Sequence, residues 1–282
     1  MGAFATSALP LTPKRLALGE YFVDKISVRR LVQRAMDDPL GRGHRQAREL
    51  RAHLLQGRVT LSLDLSTCTL DYLLGLRELC NERNLLLLLD EVQCGHFRTG
   101  NFFGWQTIMA AHADFAPDAC SMGKSLAAGL PMGAIWASTA LQDILGAGTH
   151  GTTFGGTPLV SAGALKAIEI IERDGLAQNA NDLGNYLAEQ IGKLIATYPT
   201  ALREVRGLGL MIGVELAEGI AAFAESKRPA SVQIVERLHA AGLLTIPAGA
   251  RVFRLLPPLN ISKADADEGL AIIESVIKKI AQ

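Results

Sequence analysis

An α/β fold is the class this sequence predicts, and three observations carry the prediction. Aromatic residues are only 5% of the 282, while Gly reaches 28 and Leu and Ala dominate the apolar set, a balance suited to close helix-on-sheet packing rather than an all-β sandwich. VTLSLDL alternates like a half-buried strand, and TLDYLLGLRELCNERN then spaces Leu70, Leu73, Leu74, Leu76 and Leu79 at helical intervals behind a Thr69 cap. LLLLLDEV follows as a short continuous apolar run of the kind buried on both faces of a parallel sheet. Strand, helix and strand together predict a βαβ unit.

The rest of the chain extends that pattern. Residues 1–57 are the least legible part, with Pro10 and Pro13 near the start, a mixed stretch YFVDKISVRRLVQRAMDD and an arginine-rich GRGHRQARELRAHLLQG. PDACSMGKSLAAGLPMGAIWAS supplies two more short strands around a glycine-rich turn. PLVSAGALKAIEIIERDG reads as a helix closed by Gly175 at C′, and LAQNANDLGNYLAEQIGKLIATYP keeps Leu183, Leu187, Ile191, Leu194 and Ile195 on one helical face. From Val205 the character changes to strands separated by single helices, ending in a helix opened by Ser262 with Asp265 three residues on, the capping-box spacing. This C-terminal part reads as a smaller α+β domain.

Composition excludes several function classes. Basic and acidic side chains balance at 28 each, leaving no basic field to draw the chain onto nucleic acid or an anionic membrane surface. No run of eighteen uncharged apolar residues marks a membrane span, and the first residues lack the charged start and apolar core of a signal peptide. Cys68, Cys80, Cys94 and Cys120 form no CxxC pair and have no His at metal-ligand spacing, so no metal site is expected and a reducing cytoplasm fits.

Two places offer chemistry. Asp90 and Glu91 end an apolar strand, at the carboxyl edge where open α/β sheets bind ligands; a strand-end carboxylate capping a helix is the plainer alternative. Lys124 sits between Gly123 and Ser125 in CSMGKSLAAG, after another short strand. A lysine in a tight, apolar, glycine-rich turn loses part of its solvation, which lowers its pKa and readies the amine for attack on a carbonyl. A surface lysine is the alternative there.

The segments LLLLLDEVQCGHFRTG and APDACSMGKSLAAGLPMGA resemble the class III (subgroup II) pyridoxal-phosphate aminotransferases, with their DEVQ-x-G-x-x-RTG and PD-x(n)-K-x-L-x-x-G-x-P-x-GA segments. THGTTFGGTPL at 149–159, VRGLGLMIGVEL at 205–216 and RVFRLLPPLNIS near the C-terminus agree in the same order. THGTTFGG suggests the acetylornithine and ornithine branch. Thr157, where that branch usually has Asn, and His96 and Phe97, where a small residue and Gly or Ala are frequent, depart from it.

The resemblance implies a fold type I (aspartate aminotransferase-like) PLP-transferase. Residues 58–180 would form the cofactor-binding portion of an incomplete large domain and 181–282 the small C-terminal domain, after a divergent segment 1–57. It implies pyridoxal 5'-phosphate as cofactor and Lys124 as the catalytic lysine, which bonds the cofactor and then shuttles a proton. Asp90 would pair with the pyridinium nitrogen, Val92 would pack on the ring and Gln93 would hydrogen-bond the ring oxygen. Thr153, 29 positions beyond Lys124 (153 minus 124), matches a threonine that reaches the cofactor phosphate of a partner subunit, which implies a homodimer. Arg254 would grip a substrate α-carboxylate, and Thr152 would also touch substrate. His150 and Cys94 read as a hydrogen-bonded turn residue and as packing, and Arg98 and Thr99 as shaping the turn. The implied reaction moves an amino group from N-acetylornithine or a similar terminal-amine donor to 2-oxoglutarate, in the cytoplasm.

Against that family the chain is short at its N-terminal side. The helix start that cradles the cofactor phosphate and the EP-x-QGEGG loop have no counterpart, although Asp64 falls near the position of the loop's glutamate. Three further readings therefore stand beside the first: a shortened relative with weak or no cofactor binding, an ornithine or 4-aminobutyrate type of class III enzyme, and a non-enzymatic α/β module.

Overall fold

The computed structural model describes residues 60–62, 69–83, 85–141 and 156–281. Two compact units are present: one takes residues up to Gln93 together with Ile108–Ala167, the other Cys94–Thr107 together with Ile168–Gln282.

In the first unit, strands β1 (Thr60–Ser62), β2 (Leu88–Asp90), β3 (Ala119–Met122) and β4 (Ala134–Ala137) form one sheet in that order. β1 pairs parallel with β2 and β2 with β3, whereas β4 returns antiparallel to β3. Helix α1 (Leu70–Arg83) connects β1 to β2, so the βαβ unit is present. Thr69 does cap α1, its Oγ1 accepting from the Tyr72 N–H at 3.3 Å. The buried face of α1 is Tyr72, Leu73, Leu76 and Cys80, rotated from the expected leucine stripe: Leu70, Leu74 and Leu79 stay half-exposed.

The apolar run before Asp90 also differs from expectation. Only its last residues are strand; Leu87 and Leu89 are buried, but Leu88 points to the other side and is 39% exposed, since successive strand residues face opposite ways. Asp118 fixes where these strands begin. Its Oδ2 accepts from Arg77 Nη1 of α1 at 2.8 Å and from the Leu87 N–H at 2.6 Å, and its own N–H donates to Leu87 O at 2.9 Å. One carboxylate thereby ties α1, the approach to β2 and the start of β3.

Short helix α2 (Gly104–Ile108) lies where the chain returns to the first unit, and α3 (Pro158–Arg173) runs out of that unit after Ala167. Gly175, φ +64°, ends α3 at C′ as expected and leads directly into α4 (Leu176–Thr197).

The second unit carries an antiparallel sheet ordered β5-β6-β8-β7, with β5 (Leu202–Leu208), β6 (Met211–Leu216), β7 (Ile246–Ala248) and β8 (Val252–Leu255). Leu183, Leu187 and Ile191 of α4 join Ile212, Val214 and Phe253 in one core with α5 (Ala230–Ala240) and α6 (Lys263–Ile280), and Leu194 and Ile195 pack against it. Strands here come as two hairpins rather than separated by single helices. VRGLGLMIGVEL folds back on itself at Gly209 and Leu210, because Gly209 takes φ +51° and the Leu210 N–H donates to Arg98 O at 3.0 Å. The capping box of α6 is complete: the Asp265 N–H donates to Ser262 Oγ at 3.1 Å, and the Ser262 N–H to Asp265 Oδ2 at 3.2 Å.

Candidate active site

The carboxyl ends of neighbouring strands β2 and β3 bring Asp90, Val92, Gln93 and Lys124 together in the first unit. Asp90 is the last residue of β2 and is half-buried. Its Oδ1 accepts from the Val92 N–H and from Ser121 Oγ, each at 3.0 Å. Glu91 beside it is wholly buried, and its N–H continues the parallel ladder to Ser121 O at 3.0 Å.

Lys124 begins the 3-10 turn Lys124–Ala127 just past β3. The turn is backbone-strained: Lys124 and Ala128 have φ of +46° and +51°, a region L residues rarely enter. Leu126 and Ala127 are buried beneath it while Lys124 and Ser125 are exposed. The desolvated lysine expected from the apolar wording is thus corrected, because the small apolar residues line the underside of the turn and the amine points outward. Nζ donates to Gln93 Oε1 at 2.8 Å, so the two strand-end loops are joined through these side chains. A Cβ on Gly123 would meet Val92 Cγ1 at 3.5 Å, which places the valine beside the turn.

Arg254 belongs to the second unit and is half-buried on β8. Phe253 and Leu255 enter the core, so Arg254 projects from the sheet's opposite face, in register with Gly213 on β6 and Ile246 on β7. The next row on that face holds Glu215, whose carboxylate collects Arg206 Nη1 at 2.7 Å, Arg251 Nη2 at 3.3 Å and Arg203 Nη1 at 3.5 Å. Thr152, Thr153, His150 and Asp64 lie outside the described residues.

Arg98 and Thr99 act within the second unit. Arg98 Nη1 donates to Pro257 O and, at 3.5 Å, to Leu210 O, and Thr99 Oγ1 donates to Cys94 O at 3.5 Å. Cys80, Cys94 and Cys120 are buried; burial pushes the Cys80 thiol up to about 11. Among the described residues no group of His, Cys, Asp and Glu could hold a metal, and no helix is long and apolar enough to cross a membrane. Sequence reasoning missed Ser121 and the Arg206–Glu215 pair. Strand alternation offered a signal for Ser121, which stands three residues before Lys124 on β3.

Comparison with known proteins gives these positions a family. The aminotransferase class-III family matches residues 66–277, which covers most of the chain and both strand ends. The chain belongs to the class-III aminotransferase family. It is 41% identical to acetylornithine aminotransferase 1 of Bordetella bronchiseptica over 208 residues, 74% of this chain and 49% of that protein. It is 39% identical to the acetylornithine aminotransferase of Gloeobacter violaceus over 205 residues, 73% and 47%. The chain thus spans about half the length of these class-III relatives. Among solved structures, acetylornithine aminotransferase from Elizabethkingia anophelis superposes with a TM-score of 0.65 at 30% identity, over 78% of this chain and 56% of that one. Ornithine aminotransferase from Toxoplasma gondii ME49 does so at 0.70 and 27%, over 96% and 58%. These neighbours establish the expected fold type I, incompletely covered. Class-III aminotransferases depend on pyridoxal phosphate. The residues at the strand ends fit that cofactor: an exposed primary amine, a carboxylate held in place by two donors, and a valine beside the turn that carries the amine.

Proposed function

We propose that the chain acts as a pyridoxal-phosphate-dependent aminotransferase that moves an amino group from N-acetylornithine, or a similar terminal-amine donor, to 2-oxoglutarate. The observation that supports this most is the pairing of strand ends β2 and β3, which sets the anchored Asp90 carboxylate and the exposed Lys124 amine on adjacent loops. Bound, the cofactor supplies an electron sink for the substrate carbanion. Asp90 would hold a positive charge at the ring nitrogen, and Val92 would pack on the ring. Gln93, which accepts from Lys124 Nζ at 2.8 Å, aligns the amine and the ring oxygen. Lys124 Nζ would hold the cofactor and would carry the proton at substrate Cα. Arg254 binds the α-carboxylate through its planar fork. By the family resemblance Thr152 would touch substrate and Thr153 the cofactor phosphate across a homodimer; both lie outside the described residues. A cytoplasmic setting fits a sequence whose four cysteines form no CxxC pair.

A second reading is favoured by the ornithine aminotransferases among the structural neighbours: ornithine itself as the amine donor. Adding pyridoxal phosphate to the purified chain and to Lys124→Ala tests the main reading. A visible absorbance band in the wild type that the variant lacks supports it; no band in either overturns it in favour of a relative that does not hold the cofactor.

A further inference from the structure

We infer that Ser121 is a positioning residue: its hydroxyl fixes the orientation in which the Asp90 carboxylate meets the cofactor ring nitrogen. The inference rests on the cofactor reading above and deepens it. Asp90 and Ser121 are direct partners in the parallel register of β2 and β3, so their side chains leave the same face of the sheet. A carboxylate accepts hydrogen bonds and cannot give one when ionised, so the 3.0 Å contact is a donation from Ser121 Oγ to Asp90 Oδ1. The Val92 N–H reaches the same oxygen, also at 3.0 Å. Two donors on one oxygen, one from the backbone and one from the neighbouring strand, restrict the rotation about the Cβ–Cγ bond, a torsion that is broad by itself.

Ser121 is itself well held. Its carbonyl accepts from the Glu91 N–H at 3.0 Å, its backbone pairs with Ile135 of β4, and its neighbour Cys120 is 1% exposed. The serine thus stands on the rigid part of the sheet, while Asp90 ends a strand and Lys124 lies in a turn.

The test compares wild type, Ser121→Ala and Ser121→Thr. In titrations with pyridoxal phosphate followed by the visible band, Ser121→Ala binds about tenfold more weakly, the scale of one charge-assisted hydrogen bond, and Ser121→Thr, which keeps the hydroxyl, binds like wild type. An analogue with C–H in place of the ring nitrogen has nothing for Asp90 to meet, so wild type and Ser121→Ala bind it equally. Unchanged binding of pyridoxal phosphate by Ser121→Ala, or equal weakening toward both ligands, overturns the inference while leaving the cofactor reading intact. The carbon resonance of the Asp90 carboxyl group, recorded without cofactor, separates the two ideas. It shifts in Ser121→Ala and not in Ser121→Thr; if it stays still, Ser121 does not orient Asp90. A wild type without the visible band sinks the cofactor reading, and this resonance then decides the Ser121–Asp90 contact alone.

Discussion

Gly184 of α4 and Gly209 of the β5–β6 turn meet backbone to backbone. A Cβ added to Gly184 would lie 2.2 Å from Gly209 O, and one added to Gly209 would lie 2.6 Å from Arg98 O. Helix, hairpin turn and the Arg98 loop are stacked at a spacing that only hydrogen atoms fill. Backbone atoms cannot swing aside as a long side chain can, so Gly184→Ala forces the helix off the sheet. We expect a loss of about 3 kcal/mol, the upper end for overpacking, read as a lower urea midpoint. Gly192→Ala on the same helix, where an added Cβ meets nothing within 4 Å, is stabilising by a few tenths up to about 1 kcal/mol.

A second prediction concerns the charged face of the small sheet. Glu204 and Glu215 are cross-strand partners, an arrangement of like charges that is unfavourable by itself. Arg206 resolves it by reaching both, Glu204 Oε2 at 3.3 Å and Glu215 Oε2 at 2.7 Å. With side chains only 12% and 9% exposed, Arg206 and Glu215 depend on each other. Removing one leaves the other with its longer contacts only, Glu215 with Arg251 and Arg203 and Arg206 with Glu204, so Glu215→Gln and Arg206→Met each cost about 1.5 kcal/mol in denaturant unfolding. The double variant costs much less than the sum, and strict additivity in the cycle contradicts the coupling.

These pairs also show what the sequence could reveal. The Thr69 cap, the Leu183–Leu187–Ile191 face and the Ser262–Asp265 box were legible because each is decided within one or two helical turns. The Gly209 turn was not: GLGLMIG reads as a continuous apolar strand, and the chain reverses there because Arg98, 112 residues before Leu210 (210 minus 98), supplies the carbonyl for its N–H. The same applies to the site. Asp90 and Lys124 stood out by residue type at strand ends, but Ser121 acquires its role only through the register of β3 on β2, and the exposure of Lys124 follows from backbone torsions that the wording of the turn does not encode.

A third prediction follows from His96. It is 3% exposed among Phe102 and its neighbours, and burial lowers its pKa from the ordinary 6.5 to about 4. Because the unfolded chain takes up the proton first as pH falls, this residue's contribution to stability is complete above pH 6.5. It is lost progressively between 6.5 and about 4. His96 also holds φ +57°, which Asn tolerates well. His96→Asn therefore flattens the melting temperature across that pH window without straining the turn; an unchanged slope assigns the acid sensitivity to other groups.

A fourth prediction separates substrate grip from cofactor chemistry. Arg254 projects from the non-core face of β8, with Gly213 in register on one side and Ile246 on the other. Gly213 contributes no side chain beside it on β6. Phe253 and Leu255 anchor the strand in the core, so truncating Arg254 leaves the sheet in place. On the proposed function, Arg254→Ala raises the KM for 2-oxoglutarate about a hundredfold, the scale of a bidentate charge-assisted pair, and leaves the visible band of the cofactor on Lys124 unaltered. Arg254→Lys recovers part of the affinity, since a single ammonium restores charge but not the planar fork. Loss of the band in Arg254→Ala, or a drop in its urea midpoint large enough to account for the KM, would instead make Arg254 a structural residue of the sheet.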